Sequence, residues 1–68
     1  MSIYVIIEEY SDEYQCGERL IYATTCRLTA EEVFHETDLG KSYSKIILYE
    51  VDGYSKTELI SKETKYED

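Results

Sequence analysis

The chain has 68 residues, 43% hydrophobic and 32% charged, with 15 acidic against 7 basic side chains and a formal charge of −8. That length holds one domain, which buries only about 60% of the surface its unfolded form exposes, and the apolar content is too high for a disordered acidic tail. The charge argues against direct nucleic-acid binding, whose affinity comes from Lys and Arg displacing counterions. The longest apolar run, Ile3 to Ile7, is far short of the ~20 residues that cross a bilayer, so the expectation is a cytoplasmic chain with no membrane partner.

Residues 3–10 (IYVIIEEY) are β-branched and aromatic on both faces, with Ile3, Val5 and Ile7 on one and Tyr4, Ile6 and Tyr10 on the other, as suits a central strand. A polar connection containing Gly17 follows, and 19–26 (RLIYATTC) reads as a second strand. Thr29 then predicts a helix start, with Glu32 completing a T-x-x-E capping box and Leu28 stapling against Val33. Ala30, Val33, Phe34 and Thr37 share one face of this helix of roughly ten residues, and Gly40 supplies its stop. Such a helix persists only if Val33 and Phe34 pack on a sheet.

Residues 43–51 (YSKIILYEV) and 55–62 (SKTELISK) flank Asp52-Gly53, the signature of a two-residue type I′ turn. The register that follows sets Val51 against Tyr54, Tyr49 against Lys56, Ile47 against Glu58 and Lys45 against Ile60, with Leu48 beside Thr57 and Ile46 beside Leu59. The predicted fold is α+β: a four-stranded antiparallel ββαββ sheet of order 2-1-3-4 with one short helix on one face. The domain is expected over 1–62, with a frayed acidic tail over 63–68, and Arg19, Lys56 and Lys62 guarding the edge strands.

No residue set points to catalysis. His35, the only histidine, sits among Glu31, Glu32 and Asp38 as on a solvated helix face, and a transition-metal site would recruit more than one His or Cys. Cys16 and Cys26 stand outside any CxxC spacing and read as reduced thiols. The glycines are too far apart for a phosphate cradle, so no enzyme activity, cofactor or metal is expected.

The eight tyrosines are the unusual feature, since tyrosine favours both half-wet sheets and protein interfaces. In the register above, Tyr43, Ile47, Tyr49, Val51, Tyr54 and Ile60 gather opposite the helix, and Tyr43, Ile47, Tyr49 and Tyr54 form a candidate interface, most simply with a second copy. Glu8, Glu9, Asp12, Glu13 and Tyr14 in EEYSDEY form a candidate acidic contact for a basic protein surface. The leading expectation is a non-enzymatic inhibitor or modulator that binds a protein with a basic surface. The alternative is a small homodimeric module holding a nucleotide or other metabolite in a tyrosine-lined cleft.

An apolar first strand ending in EEY, a loop, a strand, a short T-x-x-E helix and a closing hairpin together resemble small acidic bacteriophage-encoded anti-defence and host-takeover proteins. The resemblance spans the whole chain in size, charge and layout, and it assigns no individual residue. It implies action in the host cytoplasm on a host defence or nucleic-acid-handling protein.

Overall fold

A computed structural model describes residues 2–11, 14–39 and 43–64. The elements are β1 (Ser2–Ser11), β2 (Cys16–Thr24), α1 (Arg27–Glu36), β3 (Tyr43–Asp52) and β4 (Ser55–Glu63). They form one antiparallel sheet of order β2-β1-β3-β4 with α1 on one face, the α+β architecture expected from the sequence. β1 and β3, the most apolar strands, take the centre, where both edges of each are paired with a neighbouring strand.

The core lies between α1 and the sheet. Ile6, Ile46, Leu48, Ala30 and Phe34 form one buried cluster, with Tyr4, Ile21, Val33, Leu39 and Leu59 packed around it. At about 1.5–3 kcal/mol for each large apolar side chain removed from water, this one-sided core is the main source of stability. Val33 and Phe34 sit on the sheet as the helix pattern requires.

The helix begins earlier than its capping box predicts. Cys26 is the N-cap, α1 starts at Arg27, and the Ala30 N–H donates to the Cys26 carbonyl at 3.1 Å. The competing device is Thr24, whose hydroxyl oxygen accepts the Cys26 N–H at 3.1 Å. This side-chain turn reverses the chain as soon as β2 ends. Thr29 therefore lies inside the first turn rather than at its cap, and Leu28, 72% exposed, makes no staple. The expected helix stop, Gly40, lies outside the described residues.

The closing hairpin also differs by a step. Asp52 pairs with Ser55, leaving Gly53 and Tyr54 as the two loop residues, and Gly53 has φ +62°. A type I′ turn needs positive φ at both central residues, whereas a glycine alone at the first position is the pattern of type II′. Asp52 avoids the left-handed region by staying on the strand. Tyr49 consequently faces Glu58 rather than Lys56, and Leu48 faces Ile60 across a register shift. Leu59, the extra residue of that bulge, packs on the core.

Beyond the bulge, Lys62 pairs with Ile46 and so turns to the helix side. It guards no edge there. Its ammonium donates to the Phe34 carbonyl at 2.8 Å and to the Thr37 carbonyl, and sits 4.9 Å from the Phe34 ring centre. A cation on the last carbonyls complements the negative end of the helix dipole. β4 runs to Glu63, and the Thr64 N–H continues the ladder to the Ser44 carbonyl at 2.8 Å.

Candidate binding surfaces

Alternation along the strands divides the residues of the sheet between a helix side and an open side. Tyr4, Ile6, Glu8 and Tyr10 of β1 register with Glu50, Leu48, Ile46 and Ser44 of β3 on the helix side. Ile3, Val5, Ile7 and Glu9 register with Val51, Tyr49, Ile47 and Lys45 on the open side. β2 adds Ala23 beside Val5, Leu20 beside Ile7 and Glu18 beside Glu9.

The open side is more aliphatic than the tyrosine pattern foretold. Tyr43, Ile47, Tyr49 and Val51 lie on it, but Tyr54 occupies the turn and is fully exposed. Ile60 opposes Leu48 across the bulge. Ile47 is 2% exposed and so adds almost nothing to the accessible surface of this face. The accessible apolar surface comes instead from Ile3, at 44%, and Leu20, at 63%, with half-buried Val5, Ile7, Tyr49 and Val51 between them. A period-two reading of β1 places Ile3, Val5 and Ile7 together; only the register adds Leu20.

Of the expected acidic contacts, Asp12 and Glu13 lie outside the described residues, Tyr14 is 89% exposed, and Glu9 is half-buried on the open side. Glu8 is removed from the set. It is 7% exposed, with one carboxylate oxygen 2.6 Å from the Arg19 guanidinium and the other accepting the Ser44 hydroxyl at 2.9 Å. A carboxylate this deep needs such partners, and here they join β2, β1 and β3. Glu8, Tyr10, Gln15 and Arg19 line an open cleft on the helix side. Within it the Tyr10 ring lies across its strand partner Gly17, where an added Cβ would stand 3.0 Å from the phenol oxygen.

Two phenols bind carboxylates across strands: Tyr4 donates to Glu50 at 3.0 Å and Tyr43 to Glu63 at 3.2 Å. The bond to Glu50 raises the Tyr4 pKa above its ordinary value. Loss of water contact, aided by the Glu63 bond, raises that of Tyr43. Ionising either ring would set two negative charges against each other.

Among the described residues, all basic side chains but Lys45 are engaged within the fold. Arg19 holds Glu8, Arg27 holds Glu31 at 3.3 Å, Lys56 lies 4.4 Å over the Tyr49 ring and Lys62 caps the helix. Glu18 on β2, Glu32 and Glu36 on α1, Asp38 beyond it and Glu58 on β4 are exposed and have no ion-pair or hydrogen-bond partner among the described residues. Among the described residues these unpaired surface carboxylates face no cation, two of them, Glu32 and Glu36, on the outer side of the helix. Sequence reasoning puts the weight on EEYSDEY because charge density is visible in a string, whereas consumption of the basic partners is not.

Cys26 and Cys16 are both free and exposed. The Thr29 hydroxyl, with the Thr29 and Leu28 N–H groups at the helix start, favours the Cys26 thiolate and lowers its pKa, as helix N-termini do. His35 is exposed, its ring edge-on to Phe34 at 5.5 Å. Among the described residues no group of three His, Cys, Asp or Glu is arranged to hold a metal ion, and no helix is long and apolar enough to cross a membrane. No protein-family model, curated protein or solved structure matches the chain.

Proposed function

We propose that this chain is a non-enzymatic binding protein that inhibits or modulates a partner by occupying its basic surface. The observation that carries the reading is the imbalance just described: the cations Arg19, Arg27, Lys56 and Lys62 are engaged internally, while Glu18, Glu32, Glu36, Asp38 and Glu58 face solvent unpaired. Unpaired carboxylates steer and register a basic partner without first breaking internal bonds. The β1–β2 connection, with Asp12, Glu13 and Tyr14, belongs to the proposed contact together with Glu18. A basic groove of a defence or nucleic-acid-handling protein has the matching chemistry, and the resemblance to phage host-takeover proteins in size and layout agrees with it. The tyrosines favour this reading over a metabolite cleft, because Tyr4 and Tyr43 are committed to cross-strand carboxylates and Tyr54 stands on the turn.

The test is capture on the immobilised chain from the cation-exchange fraction of a bacterial lysate, beside the double variant Glu32→Lys, Glu36→Lys. The expected result is a stoichiometric partner retained by the native chain, released by salt and lost to the variant. Equal recovery on both columns would refute the proposal.

A further inference from the structure

The open side of the sheet has apolar residues on adjacent strands and no element over it among the described residues. A face of four strands of nine or ten residues measures about 30 Å by 19 Å from strand rise and spacing. Once side-chain relief is included, that approaches the roughly 800 Å² per partner of a standard interface. Edge-to-edge pairing is a poor alternative way to bury surface. Both edge strands carry a register irregularity, opposite Ile6/Ile7 on β2 and opposite Leu48/Tyr49 on β4, and bulged edges resist addition of a strand.

We infer that the open side is covered by a second copy of this chain, packed face to face about a twofold axis that runs along the strands between β1 and β3. The register supplies the argument. Such an axis exchanges β1 and β3 across the interface at unchanged height, so each residue meets the second copy of its own cross-strand neighbour. Ile3 then lies over the second copy's Val51, Val5 over its Tyr49, Ile7 over its Ile47 and Glu9 over its Lys45. On the two central strands apolar meets apolar in the first three rows, Lys56 and Glu58 of β4 flank the first two at the edge of the face, and the charged row forms two oppositely signed pairs at the rim.

The other in-plane twofold, perpendicular to the strands, sets Ile3 over the second copy's Glu9 and Val51 over its Lys45. It would bury charge against aliphatic carbon, which is costly. Glu18 and Glu63, the remaining members of the charged row, stand on edge strands at the corners of the face. There, the twist of two aligned sheets parts them and leaves them in water.

The experiment measures the mass of the purified chain by sedimentation equilibrium, beside Glu9→Lys, Lys45→Glu and their equimolar mixture. The native chain is expected at twice its monomer mass. Each single variant sets four like charges together at the rim, and its dissociation constant is expected to rise roughly tenfold or more. In the mixture the all-basic rim of the first variant meets the all-acidic rim of the second and restores dimers as heterodimers, which also shows that both variants are folded. A monomeric native chain at millimolar concentration overturns the inference, as do single variants that dimerise unchanged or a mixture that fails to recover. No binding partner is present in the experiment, so its outcome is independent of the proposed function.

Discussion

Replacing Lys62 by Met removes the only charge that bonds the end of α1 to the sheet among the described residues, while keeping most of the apolar stem. The lost interactions are the donations to the Phe34 and Thr37 carbonyls and the ammonium over the Phe34 ring. A cation at a partly buried helix C-terminus contributes about 0.3–2 kcal/mol, and the ring contact adds about 0.5–1 kcal/mol. Lys62 is half-buried, so water re-solvates the carbonyls in part, and the full value of two charged hydrogen bonds does not apply. The expected loss is about 2 kcal/mol, from the sum of those two contributions. At about 0.05–0.15 kcal/mol per residue a domain this size has only about 3–10 kcal/mol in total, and Tm should fall by about 8–16 °C. Urea unfolding followed by far-UV circular dichroism measures this, with Lys56→Met as the comparison, since exposed Lys56 makes only the Tyr49 ring contact. Losses within about 0.5 kcal/mol of each other would refute the reading of Lys62 as a helix clasp.

Arg19→Met strands the Glu8 carboxylate with Ser44 alone. Because the arginine side chain is 65% exposed, the expected cost in a urea titration is about 1–2 kcal/mol, below the roughly 3–5 kcal/mol of a fully buried pair, and Glu8→Gln in the same background should recover part of it. The raised pKa values of Tyr4 and Tyr43 mean that the folded chain holds these phenolic protons more tightly than the unfolded chain does. Their contribution to stability is therefore intact below the ordinary tyrosine pKa near about 10 and is lost as pH rises through the folded values. Absorbance titration should show two late-ionising phenols, one of which disappears in Tyr4→Phe. The lowered Cys26 pKa predicts alkylation by iodoacetamide at neutral pH faster than that of an ordinary exposed thiol, and Thr29→Val should slow it several-fold; an unchanged rate would remove the hydroxyl from the explanation.

The strand order is legible because the most apolar segments have to be central and only one antiparallel arrangement puts them there. The helix face is legible from Ala30, Val33 and Phe34 at helical spacing. What escapes is a matter of competition between local signals. Thr24 and Thr29 both offer a hydroxyl near the helix start, and the string cannot say which binds a backbone N–H. Asp52-Gly53 admits a turn on either side of the aspartate, and the steric cost of a left-handed Asp52 decides it. Neither bulge is visible in sequence, yet the one at Leu59 sends Lys62 to the helix. Glu8 reads as surface because its partners, Arg19 and Ser44, are 11 and 36 residues away. The open face is legible in position but not in chemistry, since half of it comes from β1 and β2 aliphatics.

The unpaired carboxylates are the proposed working surface, and calorimetric titration of the captured partner at two ionic strengths tests this most directly. The predicted result is a one-to-one ratio per chain, with affinity that falls steeply as salt rises and with a shallower salt slope in Glu32→Lys, Glu36→Lys. Affinity indifferent to both salt and charge reversal would contradict it.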